Sequence, residues 1–178
     1  MEATKLLSKQ HRKVESLFRQ LGRKSSDAEA LLSELANDLA AHMAIEQELF
    51  YPEVKRLDDK LVLESYEEHA LAEVALKRLL ATDPGDEEFS ARVTALKELI
   101  MHHVKEEEED LFPKVEKKLD EATRKELGKR MQARFEEVTG AGFESVLPRG
   151  FGKTSSDLSK RYLRNRQGQA RKNARRAA

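Results

Sequence analysis

The chain has 178 residues and no cysteine, with 39% hydrophobic, 37% charged and 6% aromatic residues. These figures exclude disulfides, thiolate zinc sites and iron–sulfur clusters, and they favour a solvated helical bundle over a β fold. The formal net charge of zero hides an asymmetry: residues 1–148 carry 23 basic against 32 acidic side chains, whereas residues 149–178 carry ten against one, Asp157.

Met1-Glu2-Ala3-Thr4-Lys5 leads into an amphipathic pattern without a long apolar run. Neither a leader peptide nor a membrane span is expected, and the expected compartment is the cytoplasm. The first helix is expected from about residue 3 to Leu21, with Leu7, His11, Val14, Phe18 and Leu21 on one stripe and Gly22 ending it. Ser25-Ser26-Asp27 offers a capped start for a second helix reaching about Leu57, whose stripe is Leu35, Leu39, His42, Glu46 and Leu49. Pro52 is expected to kink it. A third helix spans about Lys60 to Ala81, with Val62, Tyr66, His69, Glu73, Leu76 and Leu80 in line. Asp83-Pro84-Gly85-Asp86 reads as a turn, and a fourth helix follows to about Leu119 with Leu96, Ile100, His103, Glu107 and Leu111 facing inward. A fifth, from Glu121 to about Val138, is expected to pack on the outside. The expected units are residues 1–139 as bundle plus packing helix and residues 140–178 as a basic, flexible tail.

Every histidine is followed four residues later by a glutamate: His11–Glu15, His42–Glu46, His69–Glu73, His102–Glu106 and His103–Glu107. Four residues is about one helical turn, so each pair shares a helix face and can grip one ion. An internal repeat sharpens the pattern. At an offset of 61, His42, Glu46, Pro52 and Val54 fall on His103, Glu107, Pro113 and Val115; at an offset of 58, His11, Glu15, Phe18 and Leu21 fall on His69, Glu73, Leu76 and Leu79. The chain therefore reads as two copies of one helical hairpin, paired as a four-helix bundle whose histidines lie at comparable depth.

Imidazole and carboxylate together favour iron, manganese or zinc. Glu46 and Glu107, at matching places in the two repeats, are the natural bridges between two ions, and His11, His42, His69 and His103 each bring one nitrogen from one helix. The bland alternative is surface His–Glu pairing at about 0.2–0.5 kcal/mol a pair, which leaves histidines on apolar stripes unexplained. Glu73 divides evenly between ligand and supporting carboxylate. Glu15 and the His102–Glu106 pair read as surface groups, since His102 points about 100° away from His103. Tyr66, one turn before His69, reads as core, with hydrogen bonding to a bound oxygen species as its functional alternative. Pro52 and Pro113 carry no chemistry. No phosphate-binding loop or nucleophile–base pattern is present.

The segments Lys9-Gln10-His11-Arg12-Lys13-Val14, His42 through Pro52, Glu67-Glu68-His69 and His102 through Glu108 resemble the hemerythrin-like (HHE cation-binding) domains over about residues 5–135. The resemblance implies an all-α, up-down four-helix bundle with a dinuclear iron centre, bridged by carboxylate and by oxo or hydroxo groups. Carried over position by position, it implies His11, His42, Glu46, His69, His103 and Glu107 as ligands. The oxygen-carrying members have a second histidine where this chain has Glu73, which makes Glu73 the candidate replacement ligand. The implied function is binding of, or reaction with, dioxygen, peroxide or another small diatomic, for storage, sensing or detoxification. Whether this extends to a peroxide-decomposing or nitric-oxide-reducing enzyme is left open. The alternatives are an iron-responsive regulatory module whose basic tail contacts nucleic acid or an acidic partner, and a mononuclear metal protein.

Overall fold

The computed structural model describes residues 1–22 and 27–147, and these are helical with no strand. Helix α1 (Ala3–Leu21) ends where the Gly22 N–H reaches the Phe18 carbonyl at 3.0 Å. Helix α2 (Ala28–Ile45) follows; the expected Ser25–Ser26 cap lies outside the described residues. It runs through a π turn (Glu46–Phe50) into the short α3 (Tyr51–Val54) and a 3-10 turn (Lys55–Leu57). Helix α4 (Asp59–Leu80) is capped by Asp58, whose side chain accepts the Leu61 N–H at 3.1 Å. The turn at Asp83–Asp86 is closed by the Asp86 N–H on the Asp83 carbonyl at 2.9 Å. Helix α5 (Glu87–Glu106) passes through a second π turn (Glu107–Leu111) into α6 (Phe112–Lys118). Helix α7 (Glu121–Ala141) starts at Asp120, which accepts the Thr123 N–H at 2.7 Å, and ends at Gly142, whose φ of 84° is one that side chains rarely adopt.

Helix α1 packs on α2 and α5, α2 on α4, and α4 on α5, so the four rods close a ring. Short connections between neighbours make it the expected up-down four-helix bundle. Helix α7 lies outside, against α1 and α2, burying Leu127, Met131 and Val138. Gly128 permits that approach: a side chain there would collide with the backbone of Met1, Glu2 and Ala3. The boundary expected at 139/140 falls inside α7. Beyond the helix, the Phe143 N–H donates to Asn37 Oδ1 at 2.7 Å, and Leu147 is buried. Residues 148–178, most of the expected flexible tail, lie outside the described residues. Among the described residues no helix is long and apolar enough to cross a membrane.

Between the four rods the core is split in two. One apolar layer contains Val14, Phe18, Leu35, Leu39, Leu76, Leu96 and Ile100. The other contains Leu7, Ile45, Phe50, Val54, Val62, Leu111 and Val115. Each fully buried leucine or valine is worth about 1.5–3 kcal/mol relative to exposure. Along every rod of the bundle the histidine falls between these layers: His11 between Leu7 and Val14, His42 between Leu39 and Ile45, His69 between Val62 and Leu76, His103 between Ile100 and Leu111.

Pro52 and Pro113 do not end their helices. A proline cannot donate to the carbonyl four residues back, and its ring crowds that carbonyl. Immediately before each, a π turn widens the helix: the Tyr51 N–H bonds to the Glu46 carbonyl and the Phe112 N–H to the Glu107 carbonyl, five residues back in both cases.

Candidate metal centre

Both π turns open on a glutamate that is wholly buried, Glu46 and Glu107. Glu46 Oε2 lies 3.2 Å from His42 Nε2 on its own hairpin and 3.3 Å from His69 Nε2 on the other. Glu107 Oε2 mirrors this, 3.8 Å from His103 Nε2 on its own hairpin and 3.4 Å from His11 Nε2 on the other. Two groups of donor atoms result, His11–His42–Glu46–Glu107 and Glu46–His69–His103, each confined within 4.8 Å. Two donors on one ion at about 2.1 Å sit roughly 3.0–3.4 Å apart, so most of these separations suit shared coordination.

The outer nitrogens fix that orientation. His42 Nδ1 donates to Gln10 Oε1 at 2.8 Å, His11 Nδ1 to Glu108 Oε1 at 2.8 Å and His103 Nδ1 to Glu68 Oε2 at 2.7 Å. His69 Nδ1 pairs with the Gln47 amide at 3.0 Å. With Nδ1 engaged, each ring turns Nε2 inward, the arrangement that presents an imidazole to a metal. Each hairpin thus has one histidine held by a carboxylate and one by an amide. Arg12 in turn grips the other oxygen of Glu108.

Inward, the hydrogen bonding fails. His11 Nε2, His42 Nε2, both oxygens of Glu46 and Oε2 of Glu107 are buried without a hydrogen-bond partner. Leaving so many polar atoms bare costs on the order of 1–3 kcal/mol each, so the donor set fits a cation at its centre. Burial pushes the His42 and His69 imidazoles well below their ordinary range, which keeps them neutral and able to ligate. Burial, and then the facing Glu107, drives the Glu46 carboxyl well above the carboxylate range. Burial acts the same way on Glu107, but the neighbouring His103 and His11 outweigh it and hold that carboxyl down.

Six of the seven residues expected as ligands converge here. The seventh, Glu73, stands outside both groups; it is half-buried on α4, and burial raises its carboxyl. Glu15 pairs at the surface with Arg12 and Arg19. Tyr66 donates to the Gln47 carbonyl at 3.1 Å instead of facing the cluster. The tyrosine at the cluster is Tyr51, whose hydroxyl donates to Glu107 Oε1 at 3.0 Å and lies 3.3 Å from His69 Nε2 and 3.4 Å from His103 Nε2. Tyr51 comes five residues after Glu46, about 140° further round an α-helix, and only a π turn brings that position into line. Gln10, Gln47, Glu68 and Glu108 also escaped the spacing argument. All four neighbour an expected ligand in sequence (Gln10 beside His11, Gln47 beside Glu46, Glu68 beside His69, Glu108 beside Glu107), yet each serves a histidine on another rod. On the side away from Tyr51, a cavity of about 10 Å³ is lined by the four histidines and by Val14, Leu39, Met43, Ile100 and Val104. It is dry-walled and has room for about one water-sized species.

The sequence model of the Hemerythrin HHE cation binding domain matches residues 2–115. A DNA nickase from Nostoc sp. (strain PCC 7120 / SAG 25.82 / UTEX 2576) is 32% identical over 113 residues, 61% of this chain and 32% of the nickase. The chain therefore spans about a third of that relative. The uncharacterized protein Rv2633c of Mycobacterium tuberculosis (strain ATCC 25618 / H37Rv) is 25% identical over 154 residues, 84% of this chain and 95% of the relative. Among solved structures, the HHE cation binding domain-containing Rv2633c homolog from Mycobacterium kansasii superposes with a TM-score of 0.71 and 29% identity, over 79% of this chain and 89% of that one.

Proposed function

Because the chain belongs to the hemerythrin HHE cation-binding domain family, we propose that its buried cluster holds a dinuclear iron centre that binds or reacts with dioxygen or peroxide. The observation that carries this reading is the set of buried, partnerless donor atoms on His11, His42, Glu46 and Glu107, completed by His69 and His103. Glu46 and Glu107 span the two positions, because each faces histidines of both hairpins. Bound iron supplies the redox and Lewis-acid chemistry that small oxygen species require. The chain's own residues do the rest. Val14, Leu39, Met43, Ile100 and Val104 exclude water from the cavity. The Tyr51 hydroxyl, hydrogen-bonded to Glu107, keeps a proton inside the dry centre. Glu68 and Glu108 hold two imidazoles in register.

This reading places the activity among storage, sensing and detoxification in the cytoplasm, with residues 140–178 acting apart from the centre. Elemental analysis of anaerobically purified protein is expected to give two irons per chain, with a visible charge-transfer band growing when air is admitted. A chain that purifies without tightly held metal overturns it. Oxygen release from added peroxide, in wild type and His103→Ala, separates a catalyst from a binder.

A second reading has two favouring observations, the likeness to a DNA nickase and the ten-to-one basic excess of residues 149–178. In it the bundle is a metal-responsive module and the basic segment contacts nucleic acid. Salt-sensitive DNA binding that vanishes on deleting residues 149–178 is expected; equal binding by both forms excludes it.

A further inference from the structure

The fifth histidine–glutamate pair, which the buried centre does not use, sits over that centre. His102 Nε2 faces Glu106 Oε1 at 3.5 Å along α5 and Glu68 Oε1 at 3.7 Å across from α4. These separations are too long for hydrogen bonds yet close to the roughly 3.4 Å between two donors on one tetrahedral ion. The three ligand atoms lie within 4.8 Å of one another. They line a groove of about 470 Å³ whose charged lining also includes Glu64 and Glu67, with Lys60 as the single cation. A cation is therefore drawn to this groove. The nitrogen donor sets it apart from an ordinary acidic patch and favours a borderline divalent metal over calcium or magnesium.

Glu68 connects the two places. Its Oε1 belongs to the groove, while its Oε2 holds His103 Nδ1 at 2.7 Å. We propose that Glu68, His102 and Glu106 form a surface site for a borderline divalent cation, linked to the buried centre through the shared carboxylate of Glu68. A cation on Glu68 draws charge from the oxygen that supports His103, so its occupancy loosens the buried metal. The link rests on metal held at His103, as proposed above; the surface site does not.

Zinc titrated calorimetrically into the full chain, as purified, tests the site. Wild type is expected to show a binding event that is lost in His102→Ala and in Glu106→Gln. The His102 side chain is 65% exposed, so its removal leaves the packing intact. Zinc binding that is absent from wild type, or unchanged in His102→Ala, overturns the site. The link is read by chelator extraction of the buried metal, which surface zinc should speed several-fold in wild type but not in His102→Ala; equal rates overturn it. An empty buried centre sinks the proposed function instead, and the difference between wild type and His102→Ala in the zinc titration still decides the surface site.

Discussion

Helix α7 covers the first hairpin, packing on α1 and α2, whereas the groove between α4 and α5 on the second hairpin faces solvent. Leu63, Leu71 and Leu99, the large apolar side chains left exposed within the bundle's helices, all belong to this second hairpin. Inside, the hairpins match donor for donor, but they diverge five residues after the glutamate. Tyr51 puts a hydroxyl among His69, His103 and Glu107, while Phe112, its repeat equivalent, stacks on His11 with ring centroids 5.9 Å apart and planes 9° apart. Pseudo-symmetry thus supplies two similar groups of donor atoms, and the side chains around them make the groups chemically unlike.

The largest effect should come from the residues that both halves share. Glu107→Ala removes a donor facing both hairpins, so bound metal is expected to fall towards background, whereas His11→Ala should strip the first position and leave the second. Elemental analysis distinguishes them, and equal losses would mean that the halves do not fill separately. Next come the supporting carboxylates. Glu68→Gln and Glu108→Gln are each expected to weaken metal binding by about 10–100-fold in competition with a chelator. Matched losses would show that the covered and open halves are held alike.

A smaller effect is expected where the halves differ. Tyr51→Phe removes the donor to Glu107 Oε1 and should change metal-free stability by about 1–3 kcal/mol in chemical denaturation. Phe112→Tyr instead adds a hydroxyl to the face stacked on His11, and it tests whether the second tyrosine restores symmetry. The smallest effect concerns the tie between Glu2, at the start of the first hairpin, and Arg124 on α7. Lys5 and Arg124 hold the Glu2 carboxyl down to about 2 from its ordinary 4.5. The depressed value means that the tie contributes fully above pH 4.5 and is lost as pH falls through about 2. The stability gap between wild type and Arg124→Ala should shrink over that window in acid titrations.

The bundle was legible because its stripes repeat at the α-helical period and its breaks carry strong punctuation. Gly22 and the Asp83–Asp86 turn both sit at observed boundaries. The convergence of His11, His42, Glu46, His69, His103 and Glu107 was legible for the same reason, since spacing and repeat fixed both face and depth. Glu73 satisfied the spacing equally well and still stands outside, because four residues specify a face but not the reach of a side chain. The outer partners were hidden because they act between rods: Glu68 on α4 serves His103 on α5, and Gln10 on α1 serves His42 on α2. Tyr51 was hidden by the π turn, which an α-helical count cannot contain.

Those two π turns have a mechanical consequence. Each acts as a rotary coupling between a segment carrying histidine and glutamate and a segment carrying what lies beneath them. One residue more or less in the coupling would turn α3 or α6 by about 100° and slide it about 1.5 Å while leaving His42 on α2 or His103 on α5 in place. The floor of the centre can therefore be re-indexed without touching its walls, and in the first hairpin that indexing is what brings the phenol of Tyr51 under the glutamates.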